Sequence, residues 1–207
     1  MKYIFLIGLF LSFTVSADQQ AKMNAMLEAR LADAELLKEA VILGKERATI
    51  CVFCHGENGN SRRDNIPNLA DQNAKYLFKQ FEMFASGERD NVFMKVQAEK
   101  LSSEDRVNIA LFFASLKAIP RSEISPDQIA KGRNIYLSQC KECHGKDAHG
   151  EELLPRLASQ PARYLNKQMN NYRAAPEKRS GKDMLKVVKT LSKEDQAMVA
   201  AYLSSLK

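Results

Sequence analysis

The sequence predicts an all-α protein built as two small helical bundles in tandem, and three observations carry that expectation. The run Cys51-Val52-Phe53-Cys54-His55 returns as Cys140-Lys141-Glu142-Cys143-His144, which uses all four cysteines. The residues after each run also match in type and spacing, so the whole unit is duplicated. Finally, 27% of the 207 residues are charged, Trp is absent, and apolar residues recur at helical spacing with few Gly or Pro between them.

The chain opens with a segment of a different kind. Lys2 is a short positive region, Tyr3 to Phe13 is almost wholly apolar, and Val15-Ser16-Ala17 is a small-residue cleavage site. Residues 1–17 therefore read as a secretory signal cleaved near Ala17. The competing reading is an uncleaved anchor, but the apolar stretch is shorter than the roughly 18 to 20 residues a membrane span takes. From 18 to 43, Met23, Leu27, Leu31, Ala34, Leu37 and Val41 recur amid charges, which predicts one extra amphipathic helix outside the repeat. It is expected to pack on the first bundle; contact with a partner or a membrane surface is the alternative.

Each Cys-x-x-Cys-His run reads as a covalent haem c attachment site. Cys51 and Cys54, like Cys140 and Cys143, stand about one helical turn apart, so both thiols of a pair can add to haem vinyl groups while His55 or His144 reaches the iron. A zinc ribbon would place its two pairs about 15 to 20 residues apart, whereas Cys54 and Cys140 are separated by 86 positions. A thioredoxin-like site needs no histidine after the second cysteine. Structural disulfides would leave the shared spacing and the shared histidine unexplained. In bacteria haem c is attached outside the cytoplasm, which agrees with an exported, periplasmic chain.

The rest of the unit can be followed in order. Gly44 and Gly132 precede the motifs, either at a helix start or where a missing side chain lets another helix cross closely. Pro67-Asn68-Leu69-Ala70-Asp71-Gln72 pairs with Pro155-Arg156-Leu157-Ala158-Ser159-Gln160. The Pro67 and Pro155 carbonyls can accept the other ring N–H of each histidine, or the prolines simply shape a loop. Ser102 with Asp105, and Ser192 with Asp195, are near-capping boxes that start a terminal helix in each half. Val107, Leu111 and Ala114, then Val199, Leu203 and Leu206, give these helices an apolar stripe. The resulting domains are 44–118 and 127–207, joined by a linker at 119–126 whose two prolines interrupt helix and whose shortness keeps the halves close.

An electron-carrying haem takes a second axial ligand, and a Met thioether opposite His raises the potential. Met94 and Met184 are the candidates, because they alone stand at matching places, 39 and 40 residues after their histidines and in a loop before the terminal helix. Met83 and Met198 lie within helical patterns, and Met169 has Phe81 as its counterpart. His149, in a charged, Gly-containing loop, reads as solvated.

These residues resemble the dihaem cytochrome c4 family, two class I cytochrome c domains in tandem, over about Gly44 to Lys207. The resemblance implies His55 and Met94 on the first iron, His144 and Met184 on the second, Pro67 and Pro155 orienting the histidines, and haems that approach through their propionate edges. It also implies a periplasmic carrier that passes electrons to a terminal oxidase, often in association with the membrane. Family sequences often have Leu-Ala-Gly-Gln where this chain has Asp71 and Ser159.

The function expected is a single-electron shuttle, not an enzyme, between a quinol-oxidising complex or other donor and a terminal oxidase or reductase. One alternative is the dihaem subunit of a dehydrogenase, such as a flavocytochrome c sulfide dehydrogenase. The other is a dihaem peroxidase, which needs an open iron position that a matching Met in each half argues against. Formal charge is +6, and 118–207 carries sixteen basic residues against ten acidic. That surplus reads either as a solvated surface or as a face that steers an acidic partner. Nucleic acid is excluded as a partner, since no basic run is interleaved with stacking aromatics.

Overall fold

Each half of the chain is organised by two long helices that cross at a glycine. The computed structural model describes residues 17–121, 124–174 and 182–207; the expected signal at 1–17 thus lies outside the described residues but for Ala17. In the first half α1 (Ala17–Ala32) and α2 (Ala34–Arg47) lead into α3 (Val52–His55), followed by α4 (Ala74–Ser86), α5 (Val92–Lys100) and α6 (Ser103–Ala114). The second half runs α7 (Pro126–Gln139), α8 (Lys141–His144), α9 (Ala162–Ala174), α10 (Lys182–Thr190) and α11 (Lys193–Ser205). Among the described residues there is no strand, only an isolated bridge between Glu151 and Leu154. All-α architecture is therefore what the structure shows.

In the first half α2 packs along α6, and in the second α7 packs along α11. A Cβ on Gly44 would sit 2.1 Å from the Asn108 carbonyl oxygen, and one on Gly132 would sit 2.1 Å from that of Met198. Both glycines lie inside their helices. Close crossing, not helix initiation, is their role, because only hydrogen fits between the two backbones. Helices α4 and α5, and likewise α9 and α10, complete the two cores.

The extra helix expected over 18–43 is two helices. Asp33 adopts an extended conformation and its carboxylate accepts the N–H of Glu35 at 2.9 Å and of Leu36 at 3.0 Å. An N-cap of this strength ends α1 and starts α2 despite unbroken apolar spacing. Only α1 stands outside the repeat, since α2 runs on through Gly44 as α7 runs through Gly132. As expected, α1 packs on the first bundle: Met23 and Leu27 are buried in its core, and Arg30 donates to Asn108 and Glu104 at 2.6 and 2.7 Å.

Two further differences have local causes. Pro126 opens α7 with Ser125 as N-cap, because a proline at the first helical position loses no hydrogen bond. The expected stripe on α6 is too narrow: Arg106 to Phe113 are all buried, since α1, α2 and α4 surround the helix. Both capping boxes are formed, with Asp105 N–H and Asp195 N–H each 3.0 Å from their serine Oγ.

The halves are strapped together at several points. Arg121 in the linker donates its main-chain N–H to Ser204 O at 2.9 Å and its guanidinium to Ser61 O at 2.6 Å. Lys75 lies between Glu28 of α1 and Glu152 of the second half, at 2.7 and 2.6 Å. Asn73 reaches the Leu154 carbonyl at 2.6 Å.

Candidate haem sites

The two cysteine motifs fold as single helical turns. His55 N–H donates to Cys51 O at 2.9 Å and His144 N–H to Cys140 O at 3.0 Å, so both thiols of each pair project from one turn beside the histidine. None of the four cysteines is paired in a disulfide. Burial pushes the Cys51 and Cys140 thiols up to about 11. Among the described residues no group of three or more His, Cys, Asp or Glu could hold a metal ion.

The imidazoles are fixed by the proline carbonyls. His55 Nδ1 is 2.9 Å from Pro67 O, and His144 Nδ1 is 3.2 Å from Pro155 O. Such a bond needs the proton on Nδ1, which leaves Nε2 with its lone pair. Burial draws both histidines below their ordinary pKa, against the opposing pull of the carbonyls, so the rings are held neutral. Neutral, oriented imidazole is the form that binds a metal.

The methionines are placed on helices, not in loops. Met94 and Met184 are each the third residue of theirs, α5 and α10, and each is partly buried against its core. Met83 and Met169 are buried within α4 and α9, and Met198 lies in α11. The two methionine helices are anchored alike by different residues. Arg106 from α6 donates to Ala98 O and Leu101 O, both at 3.1 Å, and pairs with buried Glu82 at 2.6 Å. Arg173 from α9 donates to Val188 O and Leu191 O, the equivalent carbonyls, and to Gln196. His149 is exposed, as expected, with Nε2 2.9 Å from Lys207 O.

Four residues to which the sequence assigns no role gather where the halves meet. Arg89 is buried, donates to Gln80 and to Tyr164 of the other half at 2.6 and 3.1 Å, and lies 4.6 Å over the Phe84 ring. Arg156 is 4% exposed and faces Asp71 at 3.1 Å, while its Nε has no hydrogen-bond partner. Burial draws its pKa down, with Asp71 opposing. Buried guanidinium N–H groups of this kind fit the carboxylates that a haem carries, which agrees with the thiol and imidazole sets. Gln72 and Gln160 cross between the halves. Their presence in both copies of the Pro-x-Leu-Ala-x-Gln segment was the available signal, but a repeat cannot show which half a side chain enters.

A model of the Cytochrome c family matches residues 129–207. Cytochrome c4 of Pseudomonas aeruginosa is 31% identical over 175 residues, covering 79% of this chain and 87% of that protein. The chain belongs to the cytochrome c4 family. The structure of reduced recombinant cytochrome c4 from Pseudomonas stutzeri is similar too, with a TM-score of 0.72 and 28% identity over 79% of this chain and 97% of that one. A further relative, 28% identical over 77% of this chain and 80% of its own length, is a thiosulfate dehydrogenase electron acceptor of Stutzerimonas stutzeri. As a cytochrome c4, the chain is a dihaem electron-transfer cytochrome with two covalently bound haem c groups, and its all-α fold comprises two class I cytochrome c domains.

Proposed function

We propose that this cytochrome shuttles single electrons in the periplasm between a respiratory donor and a terminal oxidase or reductase, after removal of residues 1–17. The observation that carries the reading is the duplicated Cys-x-x-Cys-His turn, with both histidine rings aimed by a proline carbonyl. His55 with Met94 would hold one iron and His144 with Met184 the other. Cys51, Cys54, Cys140 and Cys143 tether the two groups. Each bound haem supplies an iron that takes up and releases one electron. Pro67 and Pro155 set the ring orientation and the basicity of the ligand, and the buried helices around them limit rearrangement and exclude water. No described helix is long and apolar enough to cross a membrane.

Visible spectra of the purified protein, with haem quantified per chain, test this. Two haems, a weak far-red band from Met bound to ferric iron, and no rapid carbon monoxide binding support a carrier ligated by Met94 and Met184. Loss of that band with carbon monoxide binding at one haem would move a peroxidase-type enzyme to the front. N-terminal sequencing of the exported protein tests cleavage after Ala17.

A second reading, a dihaem electron acceptor or subunit serving a dehydrogenase, is favoured by the relative that serves thiosulfate dehydrogenase. Copurification with a dehydrogenase from the native cell decides for it. Recovery of the cytochrome alone, with rapid transfer to an oxidase, decides against it.

A further inference from the structure

The loop that aims each histidine is gripped by the other domain. Gln160 of the second half accepts the Asn68 N–H at 3.1 Å and donates to Asn68 O at 2.7 Å. Gln72 of the first half accepts the Arg156 N–H at 2.7 Å and donates to Arg156 O at 2.8 Å. Asn68 and Arg156 are equivalent positions of the repeat, as are Gln72 and Gln160, so the four bonds are two copies of one reciprocal clasp. All four residues are at most 4% exposed. Water cannot replace these bonds, so breaking one leaves a buried amide unpaired. The Asn68 side chain adds a bond to Ser159 O at 2.7 Å and accepts the Ser61 N–H at 2.9 Å, which holds the loop in place.

The clasp acts on the atoms that set ligand strength. Asn68 N belongs to the peptide whose oxygen, Pro67 O, accepts the His55 ring proton. When a peptide donates through its N–H, its carbonyl becomes a stronger acceptor. A stronger acceptor draws on the Nδ1 proton, makes the imidazole more basic and favours the more highly charged iron. The same chain of bonds runs from Gln72 through the Arg156 N–H and Pro155 O to His144. Each loop thus does two things five residues apart: its proline serves the histidine of its own domain, and its glutamine serves the other domain's proline peptide.

We propose that Gln72 and Gln160 are crossed positioning residues: Gln160 tunes the reduction potential of the haem on His55, and Gln72 that of the haem on His144. The inference rests on the reading of His55 and His144 as iron ligands. Because it acts through bonds across the domain boundary, the clasp couples the two centres. By reciprocity, the redox state of one haem alters the strength of the grip that the opposite domain holds on its loop.

The test uses the full-length holoprotein with Gln160→Met and, separately, Gln72→Met, which keep volume and remove the polar pair. Redox titrations are followed at the hyperfine-shifted ring protons of each histidine. Weakening the ring bond by a tenth to a third changes the reduction equilibrium by about 1.2- to 2-fold. Gln160→Met should raise that constant at the His55 haem and move the other less; Gln72→Met should do the reverse. A response confined to the haem of the mutated domain, an equal response at both, or none at either overturns the proposal. Absence of hyperfine shift on either histidine overturns the ligand reading beneath it instead. Wild type supplies a check that needs no variant: the Asn68 amide should exchange with solvent more slowly when the His55 haem is oxidised than when it is reduced. Equal protection in both states overturns the coupling.

Discussion

Asp71 and Ser159 occupy the places where family sequences often carry glycine, and both have positive φ, 57° and 65°. A left-handed conformation costs an L-residue about 1–2 kcal/mol, and each side chain offsets part of that cost differently. Ser159 Oγ donates to Leu206 O at 2.7 Å, and the Asp71 carboxylate faces the buried Arg156 guanidinium. Ser159→Gly exchanges one neutral hydrogen bond for relief of strain, so its stability in urea should stay within about 1 kcal/mol of wild type. Asp71→Gly gains the same relief but leaves Arg156 without its carboxylate, and should be destabilised by roughly 1–2 kcal/mol. If both variants shift alike, the Asp71–Arg156 pair carries no weight. Glycine preference at these positions was legible from the family resemblance; the compensating partners were not, because they lie 85 and 47 residues away in sequence.

At the level of the helices, caps and crossings were the readable features. The Asp105 carboxylate is partly buried, which raises its pKa, yet bonds from Arg47 and from the Ser102 cap outweigh this and hold it below the usual carboxylate value. A carboxyl whose folded pKa is depressed adds stability that is fully present above its unfolded value and is lost as pH falls through the folded one. The stability difference between wild type and Asp105→Asn should therefore be constant above about pH 5 and shrink below about pH 4. A difference that grows on acidification would reverse the assignment. Gly132→Ala tests the crossing of α7 and α11. Alanine improves helix propensity by about 1 kcal/mol, but its Cβ would fall 2.1 Å from Met198 O and 2.6 Å from Tyr202 Cβ. Overpacking should win, with a net loss of about 1–3 kcal/mol by chemical denaturation. An unchanged or raised midpoint would mean that the helices separate freely. The break at Asp33 was carried by a single cap residue within continuous apolar spacing, which is why spacing alone joined α1 to α2.

Across the whole molecule the basic surplus of 118–207 is the feature that bears on partners. Lys186 and Lys189 are exposed on α10, the helix that also carries Met184, and the contact of Lys186 with Asp183 at 2.9 Å is solvent-exposed and contributes little to stability. The double variant Lys186→Glu, Lys189→Glu should slow electron transfer to an acidic partner at low salt and flatten its dependence on ionic strength. An unchanged salt slope would assign the surplus to solvation alone. What the sequence by itself determined was local or periodic: the two Cys-x-x-Cys-His motifs at Cys51 and Cys140 that fit haem c, the duplicated helical unit, the capping boxes and the matching methionines. Each rests on residues within a few positions of one another, or on comparison of one half with the other, and needs no knowledge of the third dimension. Only the tertiary structure decided that α2 belongs to the first crossing pair, that Arg106 and Arg173 anchor equivalent carbonyls from different helices, and that Gln72 and Gln160 grip each other's domains. Those contacts are made by buried polar groups whose partners are chosen by packing, and sequence spacing carries no information about which distant carbonyl a side chain will meet.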